Sequence, residues 1–290
     1  MGLLELWQLT WILAIAAALL SFQSDVCRAF VLQGKTRTSA RLPHLWLLRV
    51  EMPKSYWTWF YLVAALHGNF ILIAIVFWQH SKVVQDALHV AHPSTDQGTT
   101  NDITIQPHAI AFLMLFAAHT TRRLIESLLV TAFGTAKMHA SILFVGMYHY
   151  VATVLSVLSD PDAITHHPDT NGRTIMTGLG LVLFTLASYH QSRCNYLLAQ
   201  QKRANHMNYV IPCGDWFNVV RSPLYTAELM LYISFVLVTG GSIFMLYLVS
   251  VWVLVNQVLL AHLNSQWIEH KFRDQKDELL PKWNLVPFIW

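Results

Sequence analysis

The sequence has 290 residues, of which 54% are hydrophobic and only 12% carry a formal charge. A soluble globular domain carries about 25% charged residues. The net charge at pH 7 is only +3, and the basic residues lie in short loops between long apolar blocks, so we do not expect nucleic-acid binding. This composition excludes an ordinary soluble domain and indicates a protein embedded in a membrane bilayer.

The apolar residues form seven blocks, and most of them approach the length that an α-helix needs to cross a bilayer. The first block contains Glu5 and lacks a basic leader, so we expect a retained helix rather than a cleaved signal. The first and sixth blocks are short and would tilt or thin the bilayer. We predict a single all-α, polytopic transmembrane domain over residues 1–290, with spans near 3–20, 57–78, 108–130, 139–158, 175–196, 223–238 and 243–263.

Lysine and arginine fall almost entirely on one side of these predicted spans. Of the 19 basic residues, only Lys82 and Arg173 lie in the opposite loops. The positive-inside rule therefore places the basic loops and the C-terminus in the cytosol and the N-terminus on the other side. Nothing in the sequence indicates a second domain or an obligatory protein partner.

Ionisable residues inside membrane spans are costly to bury and are functional candidates. Here they are concentrated in the cytosolic halves of the predicted spans, whereas the outer halves are largely apolar. We therefore expect a polar cavity open to the cytosol above an apolar slot for a lipid tail. Two arginines of the third span are also spaced to pair with Glu126 on one helix face, so simple charge neutralisation is an alternative. The polar residues concerned are Glu51, His119, Arg122, Arg123, Glu126, His190, Glu228 and His262.

The 15 histidines raise the question of a metal site. His89, His92, His166 and His167 fall in the outer loops, and the His-rich boxes of membrane di-iron desaturases do not occur. No Walker A loop and no GxGxxG motif after a strand is present. We expect no metal, and any nucleotide must be held by helix ends and loops.

Four segments carry a more specific pattern. The first is Glu-Met-Pro-Lys-Ser-Tyr-Trp at 51–57, and the second is His-Thr-Thr-Arg-Arg-Leu-Ile-Glu-Ser at 119–127. The third covers 190–228 and includes Tyr-Val-Ile-Pro-Cys-Gly-Asp-Trp-Phe and the closing Ser-Pro-Leu-Tyr-Thr-Ala-Glu. The fourth is the terminal Val-Pro-Phe-Ile-Trp at 286–290. In this order the segments resemble the steroid 5α-reductase family, specifically its polyprenol (polyprenal) reductase branch.

The resemblance implies NADPH-dependent reduction of an α,β-unsaturated carbonyl compound. The substrate would be a long-chain isoprenoid lipid, a polyprenal or polyprenol, converted to the dolichol series for protein N-glycosylation. An allylic alcohol lacks an electron sink for the hydride, so we favour the aldehyde as the immediate acceptor. The resemblance also implies the endoplasmic reticulum membrane, with a lumenal N-terminus and a cytosolic active site.

The resemblance further assigns roles to individual residues. Glu51, protonated through partial desolvation, would donate a hydrogen bond to the carbonyl oxygen with His119 as its partner. Arg193, Lys202 and Arg203 would hold phosphates, although a topology-setting loop is an equal alternative for the last two. The residues predicted to bind the cofactor are Arg122, His190, Arg193, Arg203, Tyr209, Tyr225, Glu228, His262 and Asn264.

The chain departs from the family pattern at two positions. Leu224 stands where the family usually has His or Asn, and Ser265 stands where a His is expected, so His262 or Asn264 would supply the missing group. Two alternatives stay open: a 3-oxo-steroid 5α-reductase or enoyl reductase of the same family, and a SAM-dependent methyltransferase of the isoprenylcysteine type. The Arg-Ser-Pro-Leu-Tyr segment at 221–225 also fits the methyltransferase. A transporter would show inverted repeats or broken helices, and the sequence has neither.

Overall fold

The computed structural model describes residues 2–38, 46–93, 102–167, 170–273 and 280–290, which are mostly helical. Two three-residue strands, β1 (Glu51–Pro53) and β2 (Lys137–His139), pair antiparallel. The helices of the described residues are α1 (Leu3–Gln23), α2 (Asp25–Val31), α3 (Lys35–Thr38), α4 (Trp57–Trp78), α5 (Lys82–Ala91), α6 (Pro107–Leu129), α7 (Ala140–Leu158), α8 (Asn171–Ala204), α9 (Pro223–Val238) and α10 (Phe244–Lys271).

Each of the seven predicted spans is helical, and the bounds of α4 and α9 agree with the prediction at both ends. The predicted count of seven membrane crossings is not supported. In the part of the chain that the structure describes, four helices are long and apolar enough to cross a bilayer: α1, α4 with the turn before it, α7 and α10. Helix α9 is apolar but has only 16 residues. Helices α6 and α8 are long enough, but the polar residues in their second halves lower their mean hydropathy.

The helices that carry the polar residues are held together by a fully apolar core. Helix α4 packs against α6 and α7, α8 packs against α9, and α10 packs against α1 and α9. Phe112 and Phe116 of α6 meet Phe235 of α9 with ring centroids 5.5 and 5.8 Å apart. All three rings are completely buried, and each such burial stabilises the fold by about 1.5–3 kcal/mol. This core fixes the relative positions of α6 and α9, on which the polar residues stand.

Helix α8 approaches α9 closely because Gly180 has no side chain. A Cβ atom at Gly180 would lie 2.7 Å from Cγ2 of Val238 and 2.8 Å from its backbone nitrogen. Neither neighbour can move freely, since one is backbone and the other belongs to a fully buried valine. The contact therefore sets the distance between the two helices.

The short strands close one end of the bundle. The pairing places Glu51 opposite His139, and the backbone N–H of Lys54 donates to the carbonyl of Ala136 at 2.7 Å. The backbone N–H of Gly34 donates to the carbonyl of Lys137 at 2.6 Å, which brings the segment before α3 to the same place. This end therefore gathers segments that are far apart in the sequence. It is the end at which the sequence predicts the cytosolic loops.

Candidate active site

A cavity of about 220 Å³ lies at this end of the bundle. Its walls come from the segment before α3, the start of α4, the loop after α6, the end of α8, the start of α9 and the second half of α10. Its cationic lining residues are Lys35, Lys54, Arg123 and Lys202, and no carboxylate is found among the described residues that line it. The cavity is therefore complementary to an anion.

Three lysines reach the cavity from three separate segments. Lys202 Nζ donates to the carbonyls of Ala132 and Phe133 at 2.8 and 3.2 Å, and Lys54 Nζ lies 4.5 Å from the ring centroid of Trp57. Burial, followed by the positive charges of Lys54 and Lys202, lowers the pKa of Lys35 from 10.5 to about 7. Like charges this close oppose each other, so a bound anion would relieve the repulsion.

One buried donor of the cavity wall lacks a protein acceptor. The indole Nε1–H of Trp57 is shielded from solvent and has no hydrogen-bond partner among the described residues. Leaving a buried donor unsatisfied costs about 1–3 kcal/mol, which a ligand acceptor would recover. Together with the lysines, this donor indicates that the cavity receives a polar, negatively charged ligand.

At the inner wall of the cavity, Tyr61 of α4 meets Arg123 of α6. The guanidinium donates from Nη2 and Nε to the phenol oxygen at 2.9 and 3.3 Å. Arg123 Nη1 also pairs with Glu126, which accepts in addition from Arg122 Nη1 at 2.6 Å and from Ser192 Oγ at 2.5 Å. One carboxylate thus pairs with two arginines and cancels the charge of one of them. The pairing of Glu126 with Arg122 and with Arg123, which their spacing on the helix suggested, is confirmed for both arginines.

A second polar set continues from Arg122 to Glu228 of α9. Gln191 Nε2 donates to Glu228 Oε2 at 2.6 Å, and Arg122 Nη2 donates to Gln191 Oε1 at 2.5 Å. His119 Nε2 lies 3.6 Å from Glu228 Oε1, while Arg122 Nη2 lies 3.2 Å from His119 Nδ1. Because an arginine can only donate, Nδ1 of a neutral His119 is the acceptor and the proton sits on Nε2, facing Glu228. Glu228 therefore accepts a hydrogen bond from the amide of Gln191 and faces the Nε2–H of His119 beyond hydrogen-bonding distance.

The structure does not bring the two predicted catalytic residues together. The carboxylate of Glu51 accepts from Arg37 Nε at 2.8 Å and lies 3.4 Å from Lys137 Nζ, and it does not line the cavity. Burial of Glu51 favours the protonated form, but Arg37 and Lys137 outweigh it and hold the pKa of Glu51 below its usual value. The prediction of a protonated Glu51 paired with His119 is corrected accordingly: Glu51 is ionised and bound to a buried arginine.

Three of the nine predicted cofactor-binding residues line the cavity, and two more belong to the inner polar sets. Tyr209, Tyr225 and Asn264 line it, whereas Arg122 and Glu228 belong to the inner polar sets. Asn264 Nδ2 donates to Ser222 Oγ at 2.9 Å at the start of α9. Of the two residues weighed as replacements for the missing family group, Asn264 thus reaches the cavity.

The other four predicted residues do not line the cavity and are engaged in local contacts. They are His190, Arg193, Arg203 and His262. His190 bonds Asp215, and Arg193 lies over the ring of Tyr196. Arg203 donates to the carbonyl of Val130, and His262 bonds Gln266. The family resemblance pointed to these four residues, but the structure does not place them in the cavity lining.

Sequence reasoning did not select four charged or hydroxyl-bearing cavity residues on which the proposed chemistry depends. They are Lys35, Lys54, Tyr61 and Arg123. Lys54 carried a signal, because it lies in the Glu-Met-Pro-Lys segment, and Arg123 was considered only as a partner of Glu126. Lys35 and Tyr61 had no recognisable sequence signal, since their roles depend on which segments the short sheet and α6 bring near them.

On the opposite side of the paired arginines, a groove of about 700 Å³ opens on the surface of the helices. Leu72 of α4 and Met114 and Ile125 of α6 supply apolar walls, and Arg122 and Glu126 line the groove as well. The Arg122, Glu126 and Arg123 set therefore lies between a basic cavity and an apolar groove.

Comparison with known proteins places this chain in a known class. Residues 163–290 match the 3-oxo-5-alpha-steroid 4-dehydrogenase family. Similarity to curated proteins extends over most of the chain and reaches 30% identity, so the chain belongs to this family, the steroid 5α-reductases, and is an oxidoreductase.

Three relatives show which branch of the family the chain is similar to. The polyprenal reductase of Xenopus tropicalis is 30% identical and aligns over 87% of this chain and 86% of its own length. The polyprenal reductase of Ailuropoda melanoleuca is 27% identical over 99% of this chain and 98% of its own length. The polyprenal reductase of Homo sapiens is 29% identical and aligns over 77% of this chain and 74% of its own length.

Proposed function

We propose that this protein reduces the α-isoprene double bond of a polyprenal with NADPH in the endoplasmic reticulum membrane, on the route to dolichol and protein N-glycosylation. The names of the relatives support the substrate class. The observation that carries the proposal is the cavity, which joins a cluster of three lysines to the hydroxyl and guanidinium groups of Tyr61 and Arg123.

The residues of the cavity fit a phosphorylated nucleotide cofactor. Lys35, Lys54 and Lys202 offer charge-assisted hydrogen bonds to phosphate oxygens, and the indole N–H of Trp57 lacks an acceptor. Tyr209, which lines the same wall, supplies an aromatic surface. When bound, NADPH supplies a hydride to the β-carbon of the enal.

The inner polar set offers groups that suit a carboxamide and a carbonyl. Glu228 accepts hydrogen bonds and is held in place by Gln191, so it is the residue we assign to the carboxamide of the cofactor. Because the cavity lies at the helix ends that carry the basic loops, the cofactor enters from the cytosol. The apolar groove lined by Leu72, Met114 and Ile125 offers a place for the isoprenoid tail.

The reaction is tested with the purified full chain in lipid nanodiscs, NADPH deuterated at the transferable position, and polyprenal. We expect the saturated aldehyde, with deuterium on the former β-carbon as located by mass spectrometry. Parallel reactions use a 3-oxo-4-ene steroid, a 2-enoyl thioester, and S-adenosylmethionine with an isoprenylated cysteine. Oxidation of NADPH with the steroid or thioester but not with polyprenal contradicts the substrate class, and methyl transfer contradicts the reductase.

The cofactor site is tested by comparing two lysines that both stack on tryptophan rings. Lys54 lines the cavity, whereas Lys282 lies 4.7 Å from the ring of Trp283 and does not. Loss of a hydrogen bond to a charged group is worth about 1.5–3 kcal/mol, so Lys54→Met should weaken NADPH binding by roughly tenfold or more. Fluorescence titration of Lys282→Met should give the wild-type affinity. Equal affinities for both variants would remove the cavity from the cofactor site.

A further inference from the structure

We propose that Tyr61 is the catalytic residue that donates a proton to the carbonyl oxygen of the substrate, and that Arg123 is its positioning residue. The inference rests on the proposed reduction of an enal. It assigns a chemical role to a pair that the sequence did not single out.

The hydrogen bonds of the Tyr61 phenol favour this role. Its oxygen accepts two N–H bonds from Arg123, at 2.9 and 3.3 Å, which fill its acceptor positions. Among the described residues, no acceptor takes the proton of this hydroxyl. Tyr61 is only 6% exposed but lines the cavity, so the proton is available to a ligand there and to little else.

The positive charge of Arg123 next to the phenol oxygen also favours this role. As the proton leaves, negative charge develops on the phenol oxygen, and the guanidinium of Arg123 is already in place to stabilise it. The Arg123 Cζ atom also lies 5.0 Å from the centre of the ring. Glu126 pairs with Arg123 through Nη1, which fixes the guanidinium while leaving Nη2 and Nε on the phenol. The pair is thus organised before any substrate arrives.

The other residues that could donate a proton to the substrate carbonyl are less suitable than Tyr61. Glu51 is ionised by Arg37 and Lys137 and lies outside the cavity lining. His119 is completely buried, does not line the cavity and directs Nε2 toward Glu228. Tyr209 and Tyr225 line the cavity, but no arginine donates to either hydroxyl among the described contacts.

The step balances in atoms and electrons. A hydride forms a bond to the β-carbon, the electrons of the carbon–carbon double bond shift to join the α-carbon and the carbonyl carbon, and the carbonyl π pair moves to oxygen. The O–H bond of Tyr61 breaks, and its proton forms the hydroxyl of an enol. Water in the cavity returns a proton to the phenolate. The enol tautomerises to the aldehyde by gaining a proton from water at the α-carbon and releasing its hydroxyl proton to water. One hydride and one solvent proton are added in total.

Tyr61→Phe tests this role, with Tyr150→Phe as the matched control. The ring of Tyr150 lies 6.0 Å from that of Tyr61, but Tyr150 does not line the cavity. Loss of one donor to a developing oxyanion lowers kcat by about 10²–10³-fold. We expect that loss in Tyr61→Phe, an unchanged dissociation constant for NADPH, and near-wild-type kcat in Tyr150→Phe. Wild-type kcat in Tyr61→Phe overturns the inference.

A spectroscopic measurement separates a chemical role from a structural one. Polyprenal labelled with ¹³C at the carbonyl is bound together with NADP⁺, which cannot react, and the C=O stretch is recorded by infrared difference spectroscopy. The stretch should lie lower in the wild type than in Tyr61→Phe, and Arg123→Lys should give an intermediate position. An identical stretch in all three proteins contradicts the inference. If the wild type binds polyprenal but never reduces it, the proposed function fails rather than the hydrogen bond.

Discussion

The Glu126→Gln substitution tests whether one carboxylate holds the two arginines of α6 in the interior of the helical bundle. The carboxylate is only 8% exposed and pairs with both Arg122 and Arg123, which are 22% and 13% exposed. Glutamine keeps one acceptor oxygen but places an amide donor against guanidinium donors, and it removes the negative charge. Breaking a buried pair costs about 3–5 kcal/mol because an uncompensated charge remains, so we expect a loss of that size.

The assay is reversible unfolding in mixed micelles, followed by tryptophan fluorescence. Glu5→Gln is the control, because Glu5 is an exposed carboxylate near the start of α1 and a surface change of this kind shifts stability by less than about 0.5 kcal/mol. A Glu126→Gln protein as stable as Glu5→Gln would refute the reasoning. It would show that the arginines are neutralised by other groups or by water that enters the groove.

Three further predictions concern the helix interface, the lysine cluster and the C-terminal segment. Gly180→Ala should lower stability by about 1–3 kcal/mol through its clash with Val238, whereas Gly178→Ala on the same helix, where a Cβ meets nothing within 4 Å, should be neutral or slightly stabilising in the same unfolding assay. Because the pKa of Lys35 is about 7 in the free protein, this amine is neutral above about pH 7 and must take up a proton when a phosphate binds. NADPH affinity should therefore fall as pH rises above about 7, and Lys35→Met should flatten this dependence in a fluorescence titration. Arg221→Ala removes a 2.8 Å hydrogen bond to the carbonyl of Pro281 and should speed proteolysis of the C-terminal segment, as followed by mass spectrometry.

The helices were predictable because their signal is local. A continuous apolar block specifies a helix without reference to its neighbours, and Pro107 and Pro223 mark helix starts where a missing N–H costs nothing. The number of membrane crossings was not predictable in the same way. The second halves of α6 and α8 are polar and carry residues of the candidate site, so composition alone does not separate a functional span from a helix that stays outside the bilayer.

The site was predictable only in part because its residues meet through long-range packing. Tyr209 and Asn264 were found through the family pattern, and both line the cavity. Lys35 reaches the cavity through the short sheet, whose three-residue strands are too brief to give a sequence pattern. The ionisation of Glu51 was predicted wrongly because the prediction considered only its burial. Its partner Arg37 lies 14 residues away in a different segment, so the sequence does not show the ion pair.

Helix geometry explains why two adjacent arginines are present on α6. Successive residues of an α-helix point about 100° apart, so Arg122 and Arg123 cannot face the same side. Arg123 faces the basic cavity and Tyr61, whereas Arg122 lines the apolar groove. Glu126 lies one turn further along, between their two directions, and bonds both. In the proposed reaction, a water-soluble cofactor and a bilayer-resident lipid meet at this part of the bundle. The shared carboxylate cancels the charge of one arginine, so the set keeps one net positive charge, which would be complementary to an oxyanion formed at Tyr61 beside Arg123.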